Sequence, residues 1–181
     1  TAIMGYARVL HEKVLGDINK EQKEFVTKII TRSMDLSDMI RSIMEATRIE
    51  FGTVKSEVSE VDLGRFLDNL RAGYDVLPNE EITLSWDYPA GLPSVRTDVQ
   101  KLKHIMENLI NNAIKYTQKG SVIVKARNLP ELESVEFAVS DTGVGILPEE
   151  IPAIFQKSRQ IRDYKAYHNG VGLGLYIVKT F

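Results

Sequence analysis

From Phe25 to Ile49 the chain contains neither glycine nor proline, and Val26, Ile29, Ser33, Leu36, Ile40, Ile43 and Thr47 recur at spacings of three and four. That rhythm winds a narrow apolar stripe along one long helix, and a helix cannot cover its own stripe. Ile3, Ala7, Leu10 and Val14 repeat the spacing on a shorter helix, with Gly16 and Asp17 supplying the stop and turn between the two. One such hairpin still leaves a flank of the stripe open. The simplest solution is a four-helix bundle made by two copies of the chain. Residues 1–52 are therefore expected to form a dimerisation hairpin.

Phe51-Gly52 ends this regime, and from there strand and helix periodicities alternate. Val54 to Val58 predicts a strand, Val61 to about Leu77 a helix, Ile82 to Asp87 an alternating strand, and Asp98 to Lys115 a second helix. Strands at Ser121 to Ala126 and Val135 to Val139 are joined by a loop around Pro130. The fold class is α+β, a helical hairpin followed over residues 53–181 by an α/β two-layer sandwich. Leu147 to Asn169 is polar apart from a short apolar turn at Ile151 to Phe155, and is expected to be a mobile loop. A final helix opens near Gly172 and is cut short at Phe181, which implies that the last domain is incomplete at its C-terminus.

The 181 residues are 43% hydrophobic and 27% charged, ordinary globular values with enough chain to bury a core. A net charge of -2 provides no basic field, which argues against a nucleic-acid partner. There is no cysteine, so disulfides, thiolate metal sites and cysteine nucleophiles are excluded. No apolar run approaches the roughly 20 residues of a membrane span.

The second predicted helix contains ENLINNAIKYT, with three asparagines at Asn108, Asn111 and Asn112. Asparagine is a mediocre helix former because its amide competes for the backbone. At about 100° per residue these amides and Lys115 share an arc about 100° wide, opposite an apolar face carrying Met106, Leu109, Ile110 and Ala113. Alone, such amides describe the solvated side of a surface helix. Their company changes the reading. SDTGVGI follows a strand directly, where Asp141 can accept a hydrogen bond from an exocyclic amine and Gly143 and Gly145 let backbone approach a flat ring. NGVGLGLYIVK leads through Gly170, Gly172 and Gly174 into a helix, a turn suited to phosphates. Either turn alone is equally well an ordinary tight turn. A dinucleotide fingerprint is disfavoured, because the glycines run G-x-G-x-G at the end of the chain, and no Gly-Lys-Ser/Thr phosphate loop is present.

The order of asparagine helix, Asp-x-Gly-x-Gly, polar lid and Gly-x-Gly-x-Gly resembles the sensor histidine kinases of two-component systems. ENLINNAIKYT is similar to their N box, DTGVGI to the first glycine box, IPAIFQKS to the F box and GVGLGLYIVK to the second glycine box. TAIMGYARVL is similar to the residues directly after their phosphoacceptor segment, so the likeness covers the whole chain. The resemblance implies an ATP-binding domain shared with gyrase-type ATPases and the ninety-kilodalton heat-shock chaperone. It further implies ATP and Mg2+ as cofactors, Asn112 as metal ligand, and Asn108 at the phosphate and metal shell. Lys115 would lie near the phosphates, and Asp141 would read the adenine amine. Gly143, Gly145 and Ile146 would shape the adenine pocket with Tyr116 at its border, while Gly170, Gly172 and Gly174 cradle phosphate. Asn111 matches no fixed role and is assigned to the surface. The implied partners are a second copy of the chain, through helices 1–50, and the receiver domain of a response regulator. The implied location is cytoplasmic, with any membrane anchor in other parts of a parent chain.

The family's phosphoacceptor histidine belongs to a segment upstream of Thr1, so this stretch is expected to bind nucleotide without labelling itself. His11 lies next to the hairpin turn and reads as helix surface, His104 shares the asparagine face, and His168 sits in the lid. In the lid Ser158 stands where a second aromatic is usual, and Arg159 or Arg162 would have to replace the usual arginine. Two alternatives remain: a nucleotide-binding scaffold without transfer activity, favoured by Ser158 and Gln160, and a gyrase-like ATPase. Asn108 stands where the latter enzymes keep a catalytic glutamate.

Overall fold

The computed structural model describes residues 2–52, 55–74, 81–157 and 172–181. The chain opens with α1 (Ala2–His11) and α2 (Lys20–Glu50), an antiparallel hairpin turned through Lys13 and Gly16, both at positive φ. Asn19 starts α2 with a reciprocal cap, accepting from the Gln22 backbone N–H at 2.8 Å while the Gln22 side chain accepts from its own at 2.9 Å. Ala7 and Val26 are buried within the hairpin. Ile29, Leu36, Ile40 and Ile43, four of the predicted stripe positions, stay exposed. Beyond Val26, these four positions of the stripe stay uncovered by the described residues of one chain.

The second part begins with β1 (Ser59–Asp62), α3 (Leu63–Ala72), β2 (Ile82–Asp87) and β3 (Ser94–Thr97). It continues with α4 (Val99–Tyr116), β4 (Gly120–Leu129), β5 (Ser134–Asp141) and α5 (Gly174–Thr180). A single turn of tighter helix, Pro130–Leu132, links β4 to β5, and another, Ile151–Ala153, stands where the short apolar turn was expected. β2 and β4 run parallel, β4 and β5 antiparallel, and β1 pairs antiparallel with β3 in a separate ribbon. α3 and α4 pack on the larger sheet. Leu63, Phe66, Leu67 and Leu70 from α3 meet Met106 and Ile110 from α4 over Val124 and Ala126 of β4. This is the expected α+β sandwich.

Two expectations shift. The strand placed at Val54 to Val58 lies instead at Ser59–Asp62, pairing Val61 with Val95 of a β3 that periodicity did not reveal. Asp62 then caps α3, accepting from the Arg65 N–H at 3.0 Å, so α3 starts two residues later than the apolar spacing predicts. Of the polar stretch 147–169, residues 158–169 lie outside the described part, as do Leu77 at the predicted end of α3 and His168.

A third apolar cluster joins the two parts. Ala46 of α2 is buried against Leu173 and Ile177, with Ile49, Tyr176 and Phe181 around them. Beside it His104 Nδ1 of α4 lies 2.8 Å from Glu45 Oε1 of α2, and Lys157 pairs with Glu50. Glu45 Oε2 is buried and has no hydrogen-bond partner among the described residues.

Candidate nucleotide site

α4 is the spine of the site, and Asp98 sets where it begins. Its Oδ1 accepts from the N–H groups of Gln100 and Lys101 at 3.0 and 3.1 Å, while Oδ2 accepts from the Glu57 N–H at 2.9 Å. These donors hold the carboxyl below the ordinary aspartate value, with the Glu57 bond the largest cause and burial opposing it. Met106, Ile110 and Ala113 bury the core face of α4, which leaves the asparagine side turned away from the sheet.

Two glycines fix what meets that side. A Cβ on Gly174 would stand 2.7 Å from Asn108 Oδ1, so the second glycine segment touches the asparagine face of α4. The Asn108 amide is oriented from the other end, Nδ2 donating to the His104 carbonyl at 2.9 Å. A Cβ on Gly143 would run into the carbonyl of Tyr116, and the Val144 N–H donates to that same carbonyl at 3.3 Å. The first glycine turn is thereby seated on the C-terminal end of α4. Asn108 and Tyr116 are eight residues apart, roughly 12 Å along the helix axis. A nucleoside triphosphate laid along α4 would have its base at one end and its phosphates at the other.

Within the first turn the Gly143 N–H donates to Asp141 Oδ1 at 2.8 Å. No hydrogen bond engages Asp141 Oδ2 or the Asn112 amide among the described residues, so both remain available to a ligand. Gly145 adopts φ +71°, a conformation that glycine enters without strain. Ile146 is exposed, as is Tyr116, whose hydroxyl is nevertheless raised above the ordinary phenol value by burial. Lys115 Nζ lies 5.4 Å from the Tyr116 ring centre, within cation–π range, at the C-terminal end of α4 and away from Asn108. Gly172 has φ +71°, whereas Gly170 lies outside the described residues together with Ser158, Arg159, Gln160 and Arg162.

Other residues carry contacts the sequence did not announce. Asn111, assigned to the surface, accepts a hydrogen bond from the Tyr74 hydroxyl at 2.9 Å and so ties α4 to the end of α3. His104 engages Glu45 of the hairpin. Both partners come from segments with their own periodicity, and spacing within α4 contains no signal for them. Among the described residues no group of three or more His, Asp or Glu side chains could hold a metal, so a cation here would rest on amide oxygens, phosphates and water.

Residues 97–181 match the model of the family described as histidine kinase-, DNA gyrase B-, and HSP90-like ATPase. The chain is 29% identical over 180 residues to the aerobic respiration control sensor protein ArcB of Escherichia coli (strain K12), covering 97% of this chain and 22% of that protein. It is also 29% identical over 187 residues to the histidine protein kinase DivJ of Caulobacter vibrioides, covering 99% of this chain and 30% of that one. The chain thus spans about a fifth to a third of these relatives. Among solved structures, full-length ShkA in complex with AMPPNP superposes with a TM-score of 0.69 at 26% identity, over 98% of this chain and 36% of that one. The catalytic domain of the histidine kinase ThkA gives a TM-score of 0.54 at 22% identity, over 67% of this chain and 78% of that one, a likeness of fold.

Proposed function

We propose that residues 97–181 are an ATP-binding domain of the sensor histidine kinase kind and that the chain is the catalytic region of such a kinase. It binds Mg-ATP along α4 and passes the γ-phosphoryl group to a histidine of a dimeric helical hairpin, then to an aspartate of a response regulator. Asp141 Oδ2 receives the adenine amine beside Tyr116 and Ile146. Asn108 and Asn112 offer amide oxygens to the phosphate end, where Gly172 and Gly174 let backbone approach. Uncharged oxygen donors suit a hard cation already surrounded by phosphate, because they add no further negative charge. When bound, the cation neutralises charge on the transferring group. Transfer breaks the bond between the γ-phosphorus and the β-bridging oxygen and forms one from phosphorus to an imidazole nitrogen. Positioning is most of what such a step asks of the protein. The exposed apolar stripe of α2 supports a second copy as the hairpin's partner.

The observation that carries this reading is the contact of both glycine segments with one helix, Gly174 at Asn108 and Gly143 at Tyr116. Calorimetry is expected to find ATP binding that weakens when magnesium is withdrawn. Asn112→Ala should lower the magnesium-dependent affinity about tenfold or more while leaving the thermal midpoint within a degree or two. With γ-labelled ATP, residues 1–181 are expected to stay unlabelled. Labelling of these residues would contradict the reading of His11 as an ordinary residue of the helix surface.

A further inference from the structure

The carboxylate of Asp141 is exposed, and an exposed side chain on a glycine-rich turn has no packing to aim it. The residue after it supplies the missing constraint. β5 leaves the sheet at Asp141, the last residue in register with β4, opposite Val122. One step further the Thr142 N–H donates to the Ser121 carbonyl at 3.1 Å, and the Ser121 N–H donates to Thr142 Oγ1 at 3.0 Å. The threonine hydroxyl thus adds a side-chain rung where the ladder would end. Space for that rung comes from Gly120, which sits at φ +127°, where a Cβ would collide with Thr142 Oγ1. Gly143 holds Asp141 from the other side through its 2.8 Å bond to Oδ1. The two residues that follow Asp141 are therefore both fixed, Thr142 to β4 and Gly143 to the carboxylate itself, which leaves Oδ2 as the free acceptor with a set direction.

We propose that Thr142, in the space left by Gly120, is a positioning residue that aims Asp141 and so sets the preference for adenine over purines lacking the 6-amine. The proposal rests on the assignment of Asp141 to the adenine amine. Thr142→Val keeps the shape of the side chain and removes the acceptor for the Ser121 N–H, so residue 142 is held to β4 by its backbone bond alone and the anchor beside Asp141 is weakened. Gly120→Ala presses on the same hydroxyl from the opposite side.

The test measures Mg-ATP and Mg-ITP affinities by calorimetry on the whole chain, the inosine nucleotide differing by a carbonyl in place of the amine. Thr142→Val is expected to weaken ATP about tenfold and to change ITP less than about twofold, with Thr142→Ser restoring the preference. Gly120→Ala should lose the preference in the same way, so the proposal stays testable should the valine variant fold poorly. Asp141→Ala tells the reading of adenine apart from the aiming of its reader. If it keeps the ATP preference, the assignment of Asp141 is wrong. If it abolishes the preference while Thr142→Val and Gly120→Ala retain it, Asp141 reads adenine unaided and the positioning role is overturned. Equal losses of ATP and ITP in the Thr142 and Gly120 variants would also overturn it, because they would mark a merely structural residue.

Discussion

Gly174 bears on the site more directly than its lack of a side chain suggests, because the space it leaves is filled by the Asn108 amide, with Oδ1 2.7 Å from where a Cβ would be. Gly174→Ala is therefore expected to push that amide off its bond to the His104 carbonyl. The amide is the end of a short side chain and can turn, so stability should change by only about 1 kcal/mol while nucleotide affinity falls severalfold. Calorimetry beside a urea titration checks both halves. The family resemblance put Asn108 and the second glycine run in one site, but nothing in their spacing announced this contact. The pairing of His104 with Glu45 was no more legible in the sequence. His104 reads first as a solvated residue and only second as a phosphate neighbour, and its partner lies 59 positions away on a helix whose pattern speaks only of its own stripe.

Among the elements, α4 depends on Asp98, where one carboxylate accepts three backbone N–H bonds, two from its own first turn and one from Glu57. Removing them with Asp98→Ala should cost about 1–2 kcal/mol at neutral pH. Because the folded carboxyl titrates below its unfolded counterpart, its charged form contributes stability at neutral pH. That contribution fades as pH falls below about 4 and through the folded value. The gap in urea midpoint between parent and variant is accordingly expected to narrow between pH 6 and about pH 3. Periodicity located α2, α4, β2, β4 and β5, which are long enough to repeat a pattern several times. It missed β3 and misplaced β1 because each is four residues long, and the Val54 to Val58 alternation imitates a strand more convincingly than Ser-Glu-Val-Asp does. In α2 the exposed Leu36, Ile40 and Ile43 predict self-association. Ile40→Glu should shift the chain from dimer towards monomer in sedimentation, with the spectrum of the sandwich unchanged.

For the whole molecule, the hairpin and the sandwich meet through Ala46, Leu173 and Ile177, flanked by the Glu45–His104 and Glu50–Lys157 pairs. Ala46→Asp would drive a carboxylate against Leu173 and Ile177, apolar side chains that do not offset its desolvation. Amides of residues 173–181 are then expected to exchange with solvent faster while those of β4 keep their protection, as hydrogen exchange followed by mass spectrometry would reveal. The sandwich itself should remain folded, since its main cluster around Leu67 and Met106 lies elsewhere. α5 is only seven residues long, yet it and its N-cap serve different neighbours: the cap Leu173 and Ile177 lean on the hairpin, and Gly174 between them faces the amide of Asn108. A helix so short has little freedom to satisfy one neighbour while ignoring the other. A ligand that binds better when this first turn is settled would also tighten the grip on the hairpin, and by reciprocity a tug on the hairpin would return to the ligand.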